Sequence, residues 1–98
     1  MNDTQVANVR VVEQENYREE YANSVQVRVN LWDFFLQFGR LNQKSPTEVE
    51  ISAFQGVYLS PQQAKALHTV LSQNLVQYES AFGEIKIDPS AVRTGAVQ

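Results

Sequence analysis

The segment Leu59-Ser60-Pro61-Gln62-Gln63-Ala64 is where the hydrophobic period of the chain changes, and that change decides the fold. Ser60 has the side chain of an N-cap. Pro61 suits the first helical position because it has no N–H to leave unpaired, and Gln63 stands where a capping box places its second member. Beyond them Ala64, Leu67, Leu71, Leu75, Tyr78 and Phe82 recur at steps of three or four, up to a stop at Gly83. The spacing predicts a helix over Pro61 to Phe82 with a continuous apolar stripe that should cover one face of a sheet.

Upstream of Ser60 the period is two. Tyr21 to Leu31 alternates, with Val25, Val27, Val29 and Leu31 on one side and Ser24, Gln26, Arg28 and Asn30 on the other, as a half-buried strand requires. Phe34 to Leu41 follows as a second strand with Phe34, Leu36 and Phe38 on one face, and a tight connection through Asn30, Leu31, Trp32 and Asp33 makes the two a hairpin. Asn42 to Pro46 reads as a polar loop. Thr47 to Leu59 then alternates as a third strand until the phase blurs past Ala53, where Gly56 is the expected site of a bulge. The expected fold is α+β, a three-stranded antiparallel β-meander followed by one long C-terminal helix packed on one face. Residues 1–20 form a polar arm in which Val9 and Val11 are the only seed of a further strand. Residues 21–87 form the domain, and 88–98 form a flexible tail.

With 98 residues the chain holds one domain with a thin core. Its 8 Lys and Arg against 11 Asp and Glu give a net charge of −3, the wrong sign for binding a phosphate backbone. The absence of cysteine removes disulfides, thiolate metal sites and a cysteine nucleophile. Neither a basic leader with an apolar run nor a stretch near the ~20 apolar residues of a membrane span occurs, so a cytoplasmic protein without a membrane partner is expected.

Candidate chemistry is sparse. His68 is the only histidine and sits beside the apolar stripe with no triad spacing around it. Glu48 and Glu50 share a strand face, but glutamates alternating with Val49 and Ile51 are the pattern of a solvated strand. Gly39-Arg40 and Gly56 belong to no glycine-rich phosphate loop. Trp32, Phe34, Phe35, Phe38, Phe54 and Tyr58 resemble a base-stacking platform only in their rings, because the Lys and Arg company of such platforms is missing. No catalytic, cofactor or metal residues are assigned, and the protein is expected not to be an enzyme.

Tyr21-Ala22-Asn23, Asp33-Phe34, Phe38-Gly39, the run Leu59 to Leu67, Gln73-Asn74, Tyr78-Glu79 and Phe82-Gly83, taken in order, resemble the prokaryotic domain-of-unknown-function family numbered 3467. The resemblance spans about Tyr21 to Ile87 and implies no activity.

The surplus surface points to self-association. The helix carries only Lys65 and Glu79 as charges, and its face of amides, Gln73 and Gln77 among them, suits half-burial against another copy. One helix covers about one face of three strands, so Phe35, Phe54 and Tyr58 on the other face are the remaining interface candidates. The sequence is therefore read as a homo-oligomeric protein-interaction module, dimer or tetramer, that binds itself and potentially another protein. The alternative is a SecB-like holdase chaperone or secretion partner, which also places strands before a long helix.

Overall fold

The computed structural model describes residues 7–87 and Ala96–Val97. The chain runs β1 (Ser24–Val29), β2 (Phe34–Ser45), β3 (Glu48–Leu59), α1 (Pro61–Phe82) and β4 (Ala96–Val97). The sheet has the order β3-β2-β1-β4, and each of its pairs is antiparallel. The α+β meander followed by one helix is thus the observed architecture. Two residues of the expected tail add a fourth strand beside β1, and the rest of 88–98 lies outside the described residues. Residues 7–20 are exposed and contain no strand, so the seed at Val9 and Val11 stays unpaired.

Asn30 builds the β1–β2 turn. Its side-chain oxygen accepts from the backbone N–H of Trp32 at 2.8 Å and of Asp33 at 3.0 Å, while its own N–H donates to the Asp33 carbonyl. This is how a short polar side chain substitutes for a turn without glycine. Asn23 closes the other end of β1, donating its N–H to the Gly39 carbonyl and accepting at its side chain from the Leu41 N–H.

Two expectations about the strands are corrected. Asn42 to Ser45 are not a loop but the end of β2, paired with the start of β3 across a two-residue turn at Pro46 and Thr47. They form a ribbon outside the reach of β1. Neither face is buried there, so the backbone ladder continues without an apolar pattern to announce it, supported by a Lys44–Glu50 ion pair at 3.2 Å. The bulge lies at Phe54 rather than Gly56, since Phe38 pairs with Gln55 and Gly39 with Ala53. Gly56 stays in register opposite Gln37, and the reason for glycine is the Phe35 ring, whose Cζ would stand 2.6 Å from an added Cβ.

The helix has the expected termini. The Ser60 hydroxyl accepts from the Gln63 N–H at 3.1 Å, and Gly83 at φ 106° donates its N–H to the Glu79 carbonyl. Its packing differs from expectation. No residue of α1 is buried, only Pro61 and Ala64 are half-buried, and beyond Ala64 exposure of the stripe runs from 36 % at Leu67 to 76 % at Phe82. The cause is the connection: Ser60 alone, extended at ψ 156°, separates β3 from a helix that begins with proline. Strand-to-helix connections usually take about 2–6 residues, and one residue leaves no slack to fold the helix back. The Cα radius of gyration is 17.5 Å, where a compact chain of this length has about 13 Å. Among the described residues no helix is long and apolar enough to cross a membrane.

Candidate interaction surface

Because side chains alternate along a strand, the register sorts the sheet into two unlike faces. On one, β1 contributes Val25, Val27 and Val29, β2 contributes Phe34, Leu36 and Phe38, and β3 contributes Val57 and Leu59. None of these residues is buried, and Val29 is 63 % exposed. This valine face is apolar and incompletely covered. Next to it the hairpin tip presents Leu31 and Trp32, 79 % and 78 % exposed.

The opposite face is a ladder. Arg28, Phe35 and Tyr58 stand directly opposite one another across β1, β2 and β3. The Arg28 guanidinium lies 4.5 Å from the Phe35 ring centre, and the Phe35 and Tyr58 rings are 4.6 Å apart and tilted. Such pairs contribute about 0.5–1 kcal/mol each. Gln26 and Gln37 border the ladder.

At the far end of the valine face, the chain's own arm reaches the sheet through Glu20. Arg40 lies 4.5 Å over the Phe54 ring and is ion-paired with Glu20. Residues from Glu15 to Ala22 face Phe38, Phe54 and Gln55 across an open groove of about 630 Å³. Within the arm the Tyr17 hydroxyl donates to Glu19; that hydrogen bond, with a smaller desolvation effect, raises its pKa above the ordinary phenol value.

On α1, Ala64, Leu67, Leu71, Leu75, Tyr78 and Phe82 fall within an arc of about 80° at 100° per residue. The Tyr78 and Phe82 rings lie 4.9 Å apart and extend the stripe to the helix end.

The candidate residues do not form one patch. Phe35 and Tyr58 meet in the ladder, whereas Phe54 lies on the other face under Arg40. Gln73 and Gln77 project roughly 160° and 120° from the middle of the helix stripe, by the same 100° spacing. His68 is exposed, and among the described residues no three His, Asp or Glu side chains come together. Arg28 and Arg40 occupy opposite faces, each over its own ring, so no basic stripe forms from them. Sequence reasoning overlooked the Glu20–Arg40–Phe54 clamp, which joins residues 20 apart, and the apolar tip. The tip had one signal: Leu31-Trp32 lies between strands, where turns are normally polar.

The model of a family described as a protein of unknown function, DUF3467, matches residues 1–87. The chain belongs to the DUF3467 family. The DUF3467 match takes in the arm as well as the meander and helix. No curated protein and no solved structure matches this DUF3467 chain.

Proposed function

We propose that this chain is a self-associating, non-enzymatic protein-interaction module whose α1 stripe is buried against another copy. The observation that carries the proposal is the stripe itself, an 80° apolar arc without a formal charge on a helix with no buried residue. The exposure of single stripe residues supports it, with Leu71 51 %, Tyr78 51 % and Phe82 76 % exposed. The absence of a reaction in this reading is supported by the solvated position of His68 and by the engagement of Glu50 with Lys44 on the polar ribbon.

Size-exclusion chromatography with light scattering tests it. A dimer or tetramer at micromolar concentration is expected, and a clean 11.1 kDa monomer overturns the proposal. A holdase would instead leave the stripe open to unrelated unfolded chains; suppression of their aggregation by this protein would favour that role over a dedicated module.

A further inference from the structure

Two apolar surfaces are left open in the same chain, the α1 stripe and the valine face, and the one-residue connection at Ser60 keeps them apart. We propose that they cover each other between two copies: α1 of each copy lies across the valine face of the other's sheet. This inference rests on the self-association reading and states which surface the stripe meets.

The dimensions agree. The valine face runs along the six residues of β1, about 20 Å, and the middle of the stripe from Leu67 to Leu75 spans about 12 Å. The chemistry agrees as well. The stripe carries no formal charge, and neither does the valine face from Val25 across Leu36 to Leu59; the first charge along that face of β2 is Arg40, which is already held by Glu20 and Phe54. The groove beneath the arm occupies that far end, so the open window is the part around Val27, Val29, Leu36 and Val57, where a partner helix fits.

The competing arrangement pairs the two α1 helices with each other. It would bury the stripes but leave both valine faces wet, with Val29 still mostly exposed. Helix on sheet covers stripe and window with one contact, and a two-fold axis repeats that contact in the other copy. The helix-on-sheet layer predicted by the sequence is then present, but made between copies.

The chain has no cysteine, so introduced ones report position directly. Leu71→Cys and Val27→Cys variants, mixed after purification and mildly oxidised, should give mainly the mixed disulfide, with little cross-linking of Leu71→Cys to itself. Wild-type protein provides the second measurement: in a mixture of isotope-labelled and unlabelled chains, intermolecular NOEs should link the methyl groups of Leu67, Leu71 and Leu75 with those of Val25, Val27 and Val29. Intermolecular NOEs confined to α1 against α1, with Leu71→Cys pairing mainly with itself, overturn helix exchange while self-association stands. A monomer by light scattering overturns both.

Discussion

The two faces of the sheet use the same strands and reach different ends. On the ladder face, Arg28, Phe35 and Tyr58 complete one another by stacking across three strands, and Gly56 opens the space that the Phe35 ring fills. On the valine face the side chains are aliphatic or aromatic without a ring partner, Val27 and Val29 stand exposed, and at the far end Arg40, held by Glu20, lies over Phe54. The difference teaches what a second layer is for. A ring capped by a guanidinium tolerates water at its rim, whereas a row of valines gains about 25 cal/mol per Å² only when something apolar lies on it.

The contrast is broken most severely at the helix. Leu71→Glu removes a leucine contribution of about 1.5–3 kcal/mol from each copy and puts a charge in its place. Light scattering over a dilution series should show self-association weakened at least ~100-fold, about 2.7 kcal/mol. Gln73→Glu, on the far side of α1, should leave association unchanged. Equal weakening by both variants would mean that the stripe is not the seam.

Next in size is the buried glycine where the bulge draws β3 close to β2. At Gly39 a Cβ would stand 2.8 Å from Ile51 Cγ2 and 2.9 Å from the Ser52 carbonyl oxygen, and the backbone atom has no rotamer by which to escape. Gly39→Ala should cost about 1–3 kcal/mol, read as a lower thermal midpoint by about 4–8 °C per kcal/mol. Gly56→Ala meets only a ring, so its cost should be smaller and confined to the ladder. A neutral Gly39→Ala would overturn the close approach of the two strands.

The smallest effects separate the two arginines. Arg40→Ala loses the Phe54 contact and the Glu20 pair, together about 1 kcal/mol, and should also release the arm, seen as faster proteolysis at Arg10 and Arg18. Arg28→Ala loses only its place over Phe35, about 0.5–1 kcal/mol, with no change in the arm. If both variants speed cleavage equally, Arg40 is not the clamp.

What was legible in the sequence was local. The Ser60 cap, Pro61, Gly83 and the alternation of Val25, Val27 and Val29 need only near neighbours, and they appear where the pattern places them. Asn42 to Ser45 escaped because a ladder without a buried face leaves no apolar period. Phe54 escaped as the bulge because glycine draws that assignment, whereas Gly56 answers to a ring two strand positions away. The interface candidates scattered for a related reason: residue type marked Phe35 and Phe54 as exposed aromatics, but only the register shows that they lie on opposite faces. The position of α1 escaped because periodicity says which side of a helix needs cover and nothing about how far the helix stands from the sheet.

The hairpin tip gives the protein an optical property. Trp32 is the only tryptophan, and it stands exposed to water in the β1–β2 turn, three residues beyond Val29 at the end of the valine face. Its emission therefore starts at the long-wavelength end typical of a hydrated indole. In the proposed assembly a covered edge would emit at shorter wavelength, so dilution alone, without dye or tag, should shift the chain's own fluorescence to longer wavelength as copies separate.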